Sequence, residues 1–230
     1  MTDENKNWGY EGKNGPAYWD CLSEEYALCG SGKQQSPIDI TDSIKADLPP
    51  LMFNYHPIPL IIENNGHTIQ VSADKAGTFK IGENAYQLVQ FHFHTPSEEA
   101  INGKRTDMVI HLVHQNIQGE LAVVAVLLKA GNMANSCIEA LWNVMPKTQG
   151  EAQHHDVQID INELLPTGQK DYYSFAGSLT TPPCSEGVKW VILKQTVSIS
   201  PTQLAQYQAV YTENARPLQP LNDRKVLSSN

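Results

Sequence analysis

Two histidines separated by one residue, His92 and His94, lie in the stretch Gln90-Phe91-His92-Phe93-His94. The alternation of polar and aromatic residues predicts a β-strand, in which successive side chains point to opposite faces. Both imidazoles then project from one face, about 6–7 Å apart given a rise of about 3.3 Å per residue. This separation lets both bind one metal ion, which would then take a third ligand from another strand and keep one open position, the pattern of a catalytic zinc site.

A second strand-like segment, Val109-Ile110-His111-Leu112-Val113-His114, carries two more histidines. His111 and His114 are three residues apart, so they lie on opposite faces of a strand and only one of them can join the first pair. A lone histidine is most often a satisfied core residue, whereas an alternating pair with a histidine on another strand favours a metal. On spacing alone, both interpretations stay open.

Composition narrows the class of protein. The 230 residues are 40% hydrophobic and 18% charged, which is typical of a globular chain, and the length suits one domain. The formal net charge of −9 argues against nucleic acid or an anionic membrane as a partner. No apolar run is long enough to span a bilayer, and the polar start at Met1 lacks a signal-peptide pattern, although a leader removed earlier would leave no trace.

Many short strand-like segments and few helices predict one mainly β (α+β) domain over residues 1–230. We expect an irregular arm over residues 1–37 to precede the strands. Asn64-Asn65-Gly66 is a strong hairpin signal, and Ser200-Pro201 predicts the start of a helix that continues to about Tyr211. The other predicted elements are strands at Leu60–Glu63, Thr68–Ser72, Thr78–Ile81, Ala85–His94, Asp107–Gln115, Glu120–Lys129, Tyr172–Ser178 and Val188–Val197, and a helix at Asn135–Val144.

Several motifs along the chain resemble those of the α-class carbonic anhydrases, in the form found in bacteria. The resemblance runs from Trp8 to about Arg224 and keeps the order and spacing of the family's motifs. It implies a central, twisted, mostly antiparallel ten-stranded sheet with short surface helices. The motifs that carry it are Gln35-Ser36-Pro37-Ile38-Asp39-Ile40, Asn64-Asn65-Gly66-His67, Gln90-Phe91-His92-Phe93-His94, Pro96-Ser97-Glu98, His111-Leu112-Val113-His114, Ser178-Leu179-Thr180-Thr181-Pro182-Pro183 and Arg216-Pro217-Leu218-Gln219-Pro220-Leu221.

The resemblance implies that His92, His94 and His111 bind Zn²⁺ and that His114 is a core residue. The implied reaction is the reversible hydration of CO2 to bicarbonate and a proton, by attack of a zinc-bound hydroxide. Zinc lowers the pKa of its bound water to about 7, a value for which carbonic anhydrase is itself the standard example.

The resemblance also assigns supporting roles. Thr180 accepts a hydrogen bond from the hydroxide and donates its own proton to Glu98, because an ionised carboxylate only accepts. His67 is the expected proton shuttle, since an imidazole with a pKa near 6.5 exchanges protons at neutral pH. Without the resemblance, Glu98 would be interpreted as a surface charge, His67 as a loop residue and the apolar positions as core. The expected substrate-binding residues are Val113, Val123, Leu179, Thr181, Val188 and Trp190, and Tyr10 and Asn65 are expected to hold ordered water.

The hydrogen-bond partners of the zinc ligands depart from the family pattern at one point. Gln90 is expected to accept from His92, and a backbone carbonyl near Asn214 from His94. The third ligand of the family pairs with a Glu two residues before it, where this chain has Val109. Glu99 stands where the family has His, and we therefore expect Glu99 to turn inward and accept from His111. The alternative is a solvent-facing Glu99, with His111 bonded to water or backbone.

Four cysteines allow three full pairings, and their spacing does not choose among these or full reduction. The resemblance implies a bridge between Cys29 and Cys184, and hence a periplasmic or secreted protein. It implies no partner for Cys21 or Cys137. It further implies CO2 and bicarbonate as the small-molecule partners, inhibition by sulfonamides and small anions, and a homodimer.

Two other classes of protein share part of the pattern. His92, His94 and Glu98 also fit the start of a cupin metal motif. That motif requires glycine at positions occupied here by Tyr86 and Arg105, which excludes it. A catalytically silent, carbonic-anhydrase-like binding protein is the second alternative. Such proteins usually lack a zinc histidine, whereas all three are present here, and metal content would separate the two functions.

Overall fold

One large β-sheet organises the residues that the computed structural model describes, which are 7–230. The first six residues of the predicted arm lie outside this range. The strands are β1 Asp39–Ile40, β2 Ile44–Lys45, β3 Leu51–Tyr55, β4 Ile58–Asn64, β5 Ile69–Ser72, β6 Gly77–Ile81, β7 Asn84–His94, β8 Ala100–Ile101, β9 Met108–Gln115, β10 Leu121–Ala130, β11 Gln153–Ile159, β12 Tyr172–Ser178, β13 Glu186–Ile199 and β14 Leu227–Ser228.

Within residues 7–230, four short α-helices and four 3₁₀ turns precede the first strand or connect later ones. The helices are α1 Trp19–Leu22, α2 Leu28–Ser31, α3 Ser136–Val144 and α4 Pro201–Gln208. The 3₁₀ turns are Gly12–Asn14, Pro16–Tyr18, Glu24–Tyr26 and Ile161–Leu164. No helix within residues 7–230 combines the length and the apolar composition that a membrane span needs.

The main sheet has the strand order β11-β4-β5-β7-β9-β10-β13-β12-β14-β2. Strand β6 pairs with β7 and with β3, and a separate parallel pair joins β1 to β8. Within the main sheet, β10–β13 and β14–β2 are parallel and the other pairs are antiparallel. The predicted mainly β, mostly antiparallel architecture is therefore confirmed.

Two apolar clusters pack on the opposite faces of this sheet. Phe91 and Phe93 of β7 are fully buried in the larger cluster, as their alternation with the histidines predicts. The smaller cluster contains Val109 of β9 and Trp190 of β13. Because His111 follows Val109 by two residues, it shares the face of the smaller cluster, which is where the metal site forms.

The structure corrects the predicted strand count. Twelve strands join the main sheet within residues 7–230, instead of ten. Strand β3 lies between Pro50 and Pro57, which mask its pattern. Strand β11 is an edge strand whose polar sequence is mostly exposed, so it shows no hydrophobic alternation.

Side-chain caps set the helix starts where the sequence predicts them. The Asn135 side chain accepts from the backbone of Ile138 at the start of α3, and Ser200 and Gln203 form a reciprocal capping box at the start of α4. Helix α4 ends at Gln208 rather than near Tyr211, because Ala209 is its C-cap residue.

His114 is a buried polar residue on the sheet face that carries the larger apolar cluster, opposite the face of His111. Its Nε2 lies 2.6 Å from the Tyr55 hydroxyl, which donates to it, and its Nδ1 donates to the Ala122 carbonyl at 3.3 Å. Burial lowers the pKa of His114 from 6.5 to about 3, although backbone hydrogen bonds oppose the shift. The imidazole is therefore neutral in the folded protein.

This neutral histidine predicts a loss of stability in mild acid. Since the folded pKa is depressed, the stability is fully present above pH 6.5 and is lost as pH falls towards 3. Between pH 7.5 and 5, we expect His114 to account for a loss of about 2 kcal/mol in the free energy of unfolding of the zinc-loaded protein. The His114→Gln variant should lose this part of the pH dependence in urea titrations.

Replacement of the exposed His56 by Gln is the matched control, because it makes the same substitution at the surface instead of in the core. An unchanged pH dependence in the His114→Gln variant would contradict the assignment of a neutral buried imidazole.

Candidate metal centre

The pairing of β7 with β9 brings the three histidines together. In this antiparallel register, His92 lies directly opposite His111, and His94 lies opposite Val109. One potential ligand atom from each of His92, His94 and His111 lies within 4.8 Å of the other two. His111 is the histidine of β9 that joins the first pair, since His114 lies on the other face.

Each histidine of this group has one ring nitrogen bonded to an oxygen outside the centre. His92 Nδ1 is 2.8 Å from Gln90 Oε1, and His94 Nδ1 is 2.7 Å from the backbone oxygen of Asn214. These oxygens only accept, so we assign the ring protons to the nitrogens that face them. The Nε2 atoms of both rings are then left with a lone pair for a metal.

The third ligand is held by a carboxylate. Glu99 Oε1 lies 3.0 Å from His111 Nε2, and both side chains are 1% exposed. Glu99 thus turns inward and makes the contact expected from the sequence, while the buried Val109 has no acceptor to offer. His111 Nδ1 is the nitrogen that remains for a metal, whereas His92 and His94 each have Nε2 remaining.

The donor set fits a zinc ion. Burial lowers the pKa of His92 to about 3 and that of His94 well below 6.5, with a smaller contribution from His111, so both rings are neutral ligands. Burial also lowers the pKa of His111, but the Glu99 carboxylate outweighs it and the net shift is upward. His94 Nε2 is buried with no hydrogen-bond partner among the described residues. Three convergent nitrogens with an orphaned buried lone pair match the three protein ligands of a catalytic zinc site.

Glu98 is fully buried at the edge of the centre. Its Oε1 accepts from the backbone N–H of Arg216 at 2.7 Å, and its Oε2 lies 3.5 Å from His94 Nε2. Burial raises the pKa of Glu98 to about 7, and the neighbouring Glu99 carboxylate also raises it, whereas His111, the Thr180 hydroxyl and the Arg216 N–H oppose the shift. Oε2 has no well-aligned hydrogen-bond partner within residues 7–230.

The predicted apolar substrate residues gather beside the histidines. They belong to or pack against the smaller apolar cluster, and Trp190 meets the His111 ring edge-on with centroids 4.9 Å apart. Thr181 is half-buried on the loop between β12 and β13. The apolar residues in this group are Val113, Val123, Leu179, Val188 and Trp190.

His67 lies at the turn after β4 and stacks on an aromatic ring of the arm. The Trp8 and His67 ring centroids are 3.6 Å apart, with an angle of 8° between the planes. Half-burial lowers the pKa of His67 below 6.5. The Asn65 Oδ1 accepts from the backbone N–H groups of His67 and Thr68, so the side chain of Asn65 shapes the turn that carries His67.

The arm is joined to the rest of the chain by the expected disulfide. Cys29 and Cys184 are bonded, with Cα atoms 5.1 Å apart, whereas Cys21 is an exposed and Cys137 a buried free thiol. The buried Tyr10 hydroxyl of the arm has no partner among the described residues, and burial raises its pKa.

Sequence reasoning assigned no role to Arg216 or to Trp8. Both were visible only as members of longer matching stretches. Neither a lone arginine in a loop nor an aromatic residue in an irregular arm indicates which atoms it will reach.

Comparison with known proteins places these residues in a family. The family model described as eukaryotic-type carbonic anhydrase matches residues 14–230. Carbonic anhydrases from Neisseria gonorrhoeae and Klebsiella pneumoniae are 46% and 44% identical to this chain; each match covers 96% of this chain, and 87% and 90% of those proteins.

A solved structure agrees with the sequence matches. The α-carbonic anhydrase from Thermovibrio ammonificans, in complex with the inhibitor sulfanilamide, superimposes with a TM-score of 0.92 at 43% identity, covering 96% of this chain and 99% of that one. Since sequence and fold agree over nearly the whole length and the three histidines converge, this chain belongs to the α-carbonic anhydrase family.

Proposed function

We propose that this protein catalyses the reversible hydration of CO2 to bicarbonate and a proton, at a zinc ion held by His92 Nε2, His94 Nε2 and His111 Nδ1. The observation that carries the proposal is that one ring nitrogen from each of the three histidines lies within 4.8 Å of the other two. In each ring the other nitrogen is bonded to an acceptor. When bound there, zinc acts as the Lewis acid that makes hydroxide available from water at neutral pH. A silent binding protein is not favoured, because the ligand set is complete.

We infer that Thr180 and Glu98 orient the nucleophile. An ionised Glu98 only accepts hydrogen bonds, so a Thr180 hydroxyl beside it must donate to it and accept from the attacking oxygen. That direction leaves a lone pair of the oxygen free to face the carbon of CO2. The effect of Thr180 on the Glu98 pKa supports their proximity.

The apolar wall is proposed to hold CO2. Val123 and Trp190 are 2% and 1% exposed and lie on the His111 side of the sheet, with Val113, Leu179 and Val188 around them. A small apolar molecule partitions to such a surface, while Thr181 offers a polar group at its edge.

We propose that His67 passes the proton to solvent. Its half-buried position and its lowered pKa support a group that releases protons readily near neutral pH. Tyr10 and the Nδ2 of Asn65 are proposed to hold water between His67 and the metal centre.

We propose an oxidising location, periplasmic or extracellular, because disulfides such as Cys29–Cys184 form and persist mainly in oxidising compartments. A homodimer and inhibition by sulfonamides are further proposals; the second is supported by the sulfanilamide complex of the Thermovibrio relative. Sedimentation of the purified protein and sulfanilamide titration of its hydration activity test them.

The first prediction concerns the metal. Replacing His111 by Ala leaves two ligands, so we expect purified protein to lose most of its zinc and its CO2 hydration rate. Zinc content by atomic emission and stopped-flow hydration check both effects. Wild-type protein with about one zinc per chain and no hydration would contradict the proposed function.

A second prediction concerns Glu99, which we propose orients His111 and strengthens it as a ligand. Glu99→Gln should weaken zinc binding by about 10–100-fold, measured by competition with a chelator. The double variant Glu99→Ala/Val109→Glu places a carboxylate on the same face of β9 as His111 and should recover affinity relative to Glu99→Ala. Equal affinity of Glu99→Gln and wild type would exclude the role.

A third prediction concerns His67. The His67→Ala variant should lower kcat, which includes proton release, while kcat/KM for CO2 stays unchanged. Added imidazole buffer should restore kcat. Trp8→Ala should raise the His67 pKa towards 6.5 by exposing the ring, which NMR titration measures. Equal loss of kcat and kcat/KM in His67→Ala would argue against a shuttle.

A further inference from the structure

Arg216 is a buried arginine next to Glu98, with 1% of its surface exposed. Its guanidinium reaches three oxygens of the arm: Nη1 donates to Gln35 Oε1 at 2.9 Å and to the Ser36 carbonyl at 2.7 Å, and Nη2 donates to the Cys29 carbonyl at 2.9 Å. The ring of Trp19, also in the arm, lies under the guanidinium at 5.5 Å. The hydrogen-bond acceptors of the Arg216 guanidinium are thus neutral, and all three belong to the arm.

The backbone of the same segment supports two groups of the site. The Arg216 N–H donates to Glu98 Oε1 at 2.7 Å, and two residues earlier the Asn214 carbonyl accepts from His94 at 2.7 Å. Residues 214–216 form neither helix nor strand. The Asn214 N–H donates to the Thr95 carbonyl at 3.0 Å, and Arg105 Nη2 donates to the Arg216 carbonyl at 3.0 Å, but neither contact reaches the arm. The side chain of Arg216 is the contact that ties this segment to the arm.

Burying a guanidinium among neutral acceptors costs free energy that an apolar side chain of the same volume avoids. Burial lowers the pKa of Arg216 to about 10, and Glu98 opposes that shift, so the charge remains at neutral pH. Its rigid planar fork serves three acceptors at once, which the single ammonium of a lysine does not reproduce. A costly, geometrically specific group behind an active-site segment indicates a role in positioning.

We propose that the Arg216 guanidinium is a positioning group for catalysis, which locks residues 214–216 against the arm and thereby fixes the backbone N–H that orients Glu98. The inference rests on the proposed function, since it concerns the Thr180–Glu98 pair. Cys29 is linked to both Glu98 and Thr180. Its carbonyl accepts from Arg216, whose N–H donates to Glu98, and its sulfur is bonded to Cys184, four residues after Thr180.

The test is the Arg216→Lys variant of the zinc-loaded protein, which keeps the charge and loses the fork. A displacement of Glu98 by about 1 Å should lower kcat/KM for CO2 hydration by about 10–100-fold. Zinc content should remain near one per chain, because none of the three ligands is removed. The Arg224→Lys variant is the matched control: Arg224 donates to the Gln35 and Ala176 carbonyls but does not contact Glu98.

A ligand-binding ratio separates positioning from a general loss of stability. When the Thr180 hydroxyl donates its proton to Glu98, it can only accept a hydrogen bond from a ligand. We therefore expect the site to favour sulfanilamide, which has an N–H to donate, over azide, which has none. Loss of that direction should lower the ratio of sulfanilamide affinity to azide affinity in Arg216→Lys and leave it unchanged in Arg224→Lys. An unchanged kcat/KM and an unchanged ratio in Arg216→Lys would overturn the inference.

A second variant covers failure of Arg216→Lys to fold. Gln35→Met removes one acceptor of the guanidinium, and it should change kcat/KM and the affinity ratio in the same direction by smaller factors. No change in either would overturn the inference. An inactive zinc-loaded wild type would instead overturn the proposed function, whereas an active wild type with an unaffected Arg216→Lys would overturn only the positioning role.

Discussion

The register between β7 and β9 is the constraint on which the rest of the site depends. It sets His92 opposite His111, and a slip of one residue would turn His111 to the face occupied by Phe91 and Phe93. The buried phenylalanines on one side and the histidines on the other prevent that slip, because either displacement would bury unpaired polar groups or expose aromatic ones. Core packing and ligand geometry are thus specified by the same pairing.

The site concentrates charge in the interior. Glu98 and Glu99 are adjacent, almost completely buried, and each has one carboxylate oxygen without a hydrogen-bond partner among the described residues. Removing carboxylates from water costs free energy unless a cation or hydrogen bonds compensate. A zinc dication held by His92, His94 and His111 would supply that compensation, and metal binding would then be coupled to the integrity of this part of the fold.

Strongly periodic segments were predicted well. Strand β12 has the predicted bounds, and β7 and β9 each differ from theirs by one residue, because alternation over seven or more residues is a strong local signal. Strand β11 escaped prediction because an edge strand paired on one side needs no apolar pattern, and β3 because prolines flank it. The extra strands extend the sheet without moving the site.

The sequence by itself determined the family, the two-histidine strand and the list of candidate ligands, since these follow from residue types at short spacing. It also raised the question of what replaces the carboxylate missing at Val109. Only the tertiary structure decided that Glu99 reaches His111 and that Arg216 links Glu98 to the arm. The residues in those contacts are separated along the chain by 12 positions for His111–Glu99, 118 for Arg216–Glu98 and 187 for Arg216–Cys29. No local sequence pattern encodes which side chains meet across such separations.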